Sequence, residues 1–117
     1  MLHHFFESSA PFSKELFKSD IKFDAVISIA MWMHLERSKY AEVVDNIISA
    51  AKTTSTVIIS YSEGIRGDDL RYFEDVDLDY ITELFYSKDF KLAESVKSGD
   101  ILNRDNLTWI TVVFKHN

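Results

Sequence analysis

The chain has 117 residues, a formal net charge of −6, 46% hydrophobic and 27% charged residues, and no cysteine. That size and composition suit one globular domain with a core of its own, and the missing thiols exclude disulfides and thiolate chemistry. The acidic balance, with no run of Lys and Arg, argues against a protein that tracks nucleic-acid phosphates.

In chain order, the opening MLHHFFESS has neither the basic start nor the long apolar stretch of a secretion signal. No apolar run approaches the roughly 20 residues of a membrane helix. A soluble, cytoplasmic protein without a membrane partner is therefore expected. Leu2 to Phe6 reads as a strand end or a packed tail. His3 and His4, with Glu7, are metal-type residues, but neighbours on a strand point to opposite faces, so no metal site is expected. Ser9 to Phe12 reads as a turn, and Ser13 can cap a short helix over Lys14 to Lys18.

Phe23 to Ala30, FDAVISIA, is the first clear strand. A continuous apolar run of this length predicts burial on both faces, as in a parallel sheet covered by helices. It ends in Met31, Trp32, Met33 and His34 where Gly, Pro or Asn would be usual. Glu36 to Lys52 is predicted as a helix, since Tyr40, Val43, Val44, Ile47, Ile48 and Ala51 fall on one face. Thr53 to Ser55 reads as a polar break, and Thr56 to Ser62 as a second strand rich in β-branched residues. Strand, helix, strand is the order that a right-handed parallel crossover requires.

Glu63 to Asp75 reads as a polar loop. Asp77 is placed to cap a helix whose stripe is Leu78, Ile81, Leu84 and Phe85, ending near Lys88. Phe90 to Val96 and Leu107 to Lys115 read as strands joined by a polar turn, hence an antiparallel pair. No repeat or linker interrupts the chain, so residues 1–117 are expected to form a single domain.

Three stretches carry a family resemblance: FDAVISIAMWMHL, the helix YAEVVDNIISAAK and the strand TVIISYS. With DLDYITELFYSKDFKLAES and NRDNLTWITVVFK behind them, they make the sequence resemble the C-terminal half of a Rossmann-like S-adenosylmethionine-dependent methyltransferase. The resemblance covers residues 20–117 well and residues 1–19 weakly. It implies an α/β fold with helices packed on a mixed sheet and a terminal antiparallel strand pair. The strand order implied is 23–30, 56–62, 107–115, 90–96. The first two strands would be parallel, and 107–115 antiparallel to its neighbours.

The resemblance also implies a function and a site. The expected cofactor is S-adenosylmethionine and the acceptor a small molecule. Ala30 and Met31 would approach the cofactor, and Glu7 would hold its adenine amino group or be a solvated turn carboxylate. Trp32 and Met33 would face substrate or pack the core. His34 would be a pocket base or a helix-start residue bonded to nearby backbone. Arg66 and Arg71 would meet an anionic substrate or simply be solvated. The family's glycine-rich cofactor loop has no match, because the glycines stand only at 64, 67 and 99. The implied domain is thus a partial one without that half, probing two readings: an enzyme completed from elsewhere, or an inactive module for dimerisation or protein interaction. The strand at 23–30 would have a bare apolar edge, at which a two-fold homodimer is expected.

Overall fold

The computed structural model describes residues 22–64, 75–99 and 107–117. Within them, strand β1 (Phe23–Ile29) leads through two 3-10 turns, Trp32–His34 and Arg37–Lys39, into helix α1 (Tyr40–Ala50). Strand β2 (Ala51–Gly64), helix α2 (Leu78–Tyr86), and strands β3 (Phe90–Gly99) and β4 (Leu107–His116) follow. The sheet order is β1-β2-β4-β3, with β1 parallel to β2 and β4 antiparallel to both of its neighbours. This is the order and polarity that the resemblance implied.

The helices form where their periodicity places them. Tyr40, Val43, Val44, Ile47 and Ala50 are the buried face of α1. On α2, Ile81 and Phe85 are buried, and the Asp77 carboxylate accepts from the Tyr80 N–H at 3.1 Å as its cap. Both helices cover one face of the sheet, presented by Val57, Ile59 and Tyr61 of β2 and by Ile110, Val112 and Phe114 of β4. Phe85 stacks on Phe114 with ring centroids 4.4 Å apart. After α2, Asp89 takes a left-handed conformation (φ 67) and its carbonyl accepts from the Asn117 N–H at 2.7 Å. Aspartate is one of the few side chains that tolerates that backbone.

Three expectations are corrected. The helix expected from Glu36 to Lys52 begins at Tyr40, behind a 3-10 turn, and ends at Ala50. The polar break at Thr53 to Ser55 is part of β2, which starts at Ala51 opposite Phe23. Two threonines beside a serine suit an extended chain, and Lys52 bonds Asp24 of β1 at 2.9 Å. Finally, β1 is not buried on both faces. Ser28 is buried and Val26 half-buried, whereas Ala25, Ile27 and Ile29 are exposed. Among the described residues, no helix is long and apolar enough to cross a membrane.

Candidate functional site at the C-terminal edge of the parallel strands

β1 and β2 run in the same direction, so their C-terminal ends, Ile29 and Gly64, lie at one edge of the sheet. The residues that open α1 and α2 return to this same edge. In open α/β sheets this is the side on which ligands bind. Ala30 marks it: φ is 57, a left-handed backbone on a residue with a Cβ, and its N–H bonds the Ser60 carbonyl at 2.8 Å. Such a conformation costs an alanine about 1–2 kcal/mol. The reversal sends the chain off the end of the sheet at once, and Met31 to His34 follow at the strand mouth.

The 3-10 turn is closed by the His34 N–H on the Met31 carbonyl (2.9 Å) and the Leu35 N–H on the Trp32 carbonyl (3.1 Å). The Ser28 hydroxyl lies 3.9 Å from the Met31 sulfur. Trp32 and Met33 belong to the buried core, with Trp32 fully enclosed. Met31 and His34 are half-buried. Ala30, Met31, Trp32, Met33 and His34 are therefore brought together in one turn. Glu7, Arg66 and Arg71 lie outside the described residues, as do His3 and His4.

A second cluster at this edge escaped the sequence reading. The Arg37 guanidinium donates from Nε to Asp77 Oδ2 at 3.0 Å and lies 4.0 Å over the centre of the Tyr80 ring. Tyr80 stacks on Tyr40 (5.9 Å), and Tyr40 meets Trp32 edge-on (5.2 Å). The Asp77 N–H reaches the Tyr40 hydroxyl at 3.4 Å. The Tyr80 N–H and the Arg37 guanidinium hold the Asp77 carboxyl below the usual carboxylate range, and Asp77 in turn raises the Arg37 guanidinium. In the sequence Asp77 reads only as a cap, and Arg37 is one charge within the predicted helix from Glu36 to Lys52. Their pairing spans 40 residues, and no local periodicity announces it.

No protein-family model matches the chain, and no curated protein matches its sequence. Solved structures match it in shape. One is the Burkholderia thailandensis 1,6-didemethyltoxoflavin-N1-methyltransferase with bound 1,6-didemethyltoxoflavin and S-adenosylhomocysteine. It has a TM-score of 0.65 and 14% identity over 87% of this chain and 48% of its own. The magnesium protoporphyrin IX methyltransferase of Synechocystis, also with S-adenosylhomocysteine, gives 0.58 and 16% over 84% of this chain and 48% of its own. The chain has the fold of the C-terminal half of a Rossmann-like methyltransferase. A third structure, the N-methyltransferase NodS of Bradyrhizobium japonicum with S-adenosylhomocysteine, gives 0.57 and 8% over 86% of this chain and 50% of its own. The chain thus spans about half the length of the solved structures it matches. In this fold, β1 and β2 are the parallel strands, and β4 and β3 are the terminal antiparallel pair.

Proposed function

We propose that this chain is the C-terminal part of an S-adenosylmethionine-dependent methyltransferase that acts on a small molecule. The observation that carries the reading is the fold match to a methyltransferase holding S-adenosylhomocysteine, over 87% of this chain. We assign one side of such a cofactor's site to the described residues that follow β1. Ala30 turns the backbone away at the strand mouth, and a thioether and an imidazole follow at Met31 and His34. When bound, S-adenosylmethionine would supply an electrophilic methyl carbon, whose bond to the sulfonium breaks as the acceptor's bond forms, with S-adenosylhomocysteine as the leaving group.

In this reading Ala30 and Met31 shape the cofactor wall. Trp32 and Met33, being buried, hold that wall from behind. His34 is the group placed to take the acceptor's proton, and such a base contributes typically about 10²–10⁴-fold. Positioning supplies the rest. Glu7 toward the adenine, and Arg66 and Arg71 toward an anionic acceptor, complete the proposed site on the strength of the sequence alone. The test is calorimetric titration of S-adenosylhomocysteine into the chain, and into His34→Ala. Micromolar binding to the chain supports the reading. No heat with either S-adenosylhomocysteine or S-adenosylmethionine removes it for this chain alone.

One observation favours a second reading, a non-catalytic module that dimerises. Among the described residues β1 has a strand partner on one side only, it carries no charge from Ala25 to Ile29, and Ile27 and Ile29 are 59% and 66% exposed. None of the three glycines stands in a cofactor-loop pattern. A dimer mass by light scattering, without cofactor binding, is the outcome that selects this reading.

A further inference from the structure

The turn that carries Met31 to His34 is closed by its two backbone bonds and anchored by Trp32 and Met33 in the core. Neither 3-10 turn has a side-chain cap bond, and Lys39, the N-cap of α1, has none either. The turn also holds a polar group at a cost. The Trp32 indole N–H is buried and has no acceptor among the described residues. An unmet buried donor costs about 1–3 kcal/mol. Core burial of Trp32 and Met33 opposes that cost, and a hold from outside the turn would add to that burial.

The candidate is on α2. Arg37, which follows the turn, is joined to Asp77 at the start of α2 and lies over the Tyr80 ring one turn further along. From Tyr80 the rings pass inward without a gap, Tyr80 on Tyr40 and Tyr40 against Trp32. Asp77 is fixed on its other oxygen by the Tyr80 N–H, so the carboxylate that holds Arg37 cannot swing freely. A planar guanidinium suits this double task, since it can bond in its plane and stack across it.

We propose that Arg37 is a positioning residue: bonded to Asp77 and laid on Tyr80, it latches the Trp32–His34 turn shut from the side of α2. The latch acts through the ring stack on the wall described above. What that wall encloses rests on the methyl-transfer reading, while the latch itself does not.

The test uses the 117-residue chain. Asp77→Asn removes the charge but keeps an oxygen for the cap, because Asn caps as well as Asp. Arg37→Gln removes the other partner, and Arg37→Lys keeps the charge without the plane. Solvent exchange of the Trp32 indole N–H, and of the His34 and Leu35 amides, reads the turn. The β2 amides of Val57 and Ile59 read the sheet. Asp77→Asn and Arg37→Gln should each speed exchange in the turn about two- to five-fold, the range of one partly exposed ion pair. The sheet amides should not move, and Arg37→Lys should recover less than half of the effect. The double variant should match Arg37→Gln, which by itself removes both the bond to Asp77 and the stack on Tyr80. In the wild type, about 1 M salt should imitate the variants, because exposed pairs are screened.

Unchanged exchange in the turn, or an equal rise in turn and sheet, overturns the proposal. Titration with S-adenosylhomocysteine separates the two ideas. A loosened turn in a chain that binds no S-adenosylhomocysteine leaves the latch standing and removes the methyl-transfer reading. Binding that is unaffected by a loosened turn removes the latch's part in the site.

Discussion

On the helix-covered face of the sheet, Val57, Ile59, Val112 and Phe114 are fully buried. One residue along from them in β1, β2 and β4, the opposite face presents Ile27, Ile29, Ile58, Trp109 and Val113. These side chains are as apolar as the first set, yet Ile27 and Ile29 are mostly exposed and the others only half-buried. A strand that meets water on one face ordinarily alternates apolar with polar. β1 does not alternate, and neither does its edge resemble the other edge of the sheet. β3, at that other edge, carries Lys91, Glu94 and Lys97 and a register shift between Leu92 and Glu94. Charge and irregularity of this kind discourage strand addition. One edge is thus guarded, while among the described residues no strand pairs with the other, which borders the face where Ile27 and Ile29 are exposed. The difference marks β1 as the side on which a proposed second copy would pack.

The largest effect should come from breaking the covered face. Phe114→Ala removes a ring stacked on Phe85 in the core and should cost about 3–5 kcal/mol. Val113→Ala, the next residue on the opposite face, should cost about 1 kcal/mol or less. Urea unfolding at constant slope checks both. Equal losses would mean that the two faces are equally packed.

Most of this architecture was legible in the sequence because it rests on periodicity. The stripe from Tyr40 to Ile47 and the β-branched run from Val57 to Ile59 each declare their partner face. Strand boundaries were less legible. Thr53 to Ser55 read as a break because polarity and extension look alike in a short run. The exposure of β1 was misread for a different reason: an apolar run declares that it can be covered, not whether it is. At the site, Ala30 to His34 could be grouped because they are consecutive. The Arg37–Asp77–Tyr80 cluster could not, since it depends on where two separate helices return to one edge.

The next comparison concerns the β1 edge. Ile29→Lys places a charge in the stretch from Ala25 to Ile29, which has none, on a side chain already 66% exposed. Stability should change by no more than about 0.5 kcal/mol, while a dimer should dissociate to the monomer mass in light scattering. A dimer that survives both Ile29→Lys and Ile27→Lys would place the interface elsewhere.

Tyr61 tests the covered face through its chemistry. Burial, aided by Glu63 and Tyr40, pushes its hydroxyl up to about 12. A raised pKa means that the fold prefers the neutral phenol. The preference is intact below the unfolded value near ~10 and is lost as pH rises towards the folded value. Stability should therefore fall through that alkaline window, and Tyr61→Phe should flatten the fall. The ultraviolet titration difference between wild type and Tyr61→Phe should place the Tyr61 step at about 12. A step near the ordinary tyrosine value instead would mean that water reaches the covered face at that point.

The smallest effect is expected at Asp77, where solvent screens the charges. Its carboxyl is held below the usual range, first by the Tyr80 N–H and then by Arg37. A lowered pKa means that the carboxylate is the form the fold prefers. Its contribution is complete above the unfolded value near ~3.9 and fades as pH drops through the folded value below it. Wild type and Asp77→Asn should therefore differ by a constant amount from neutral pH down to about 5 and converge only in stronger acid. The same pH series should loosen the Trp32–His34 turn before the sheet, because the bond from Arg37 is lost while the Phe85–Phe114 core is still intact. If turn and sheet loosen together, Asp77 stabilises the whole fold through its helix cap, and the edge where Met31 to His34 gather has no separate hold on its own conformation.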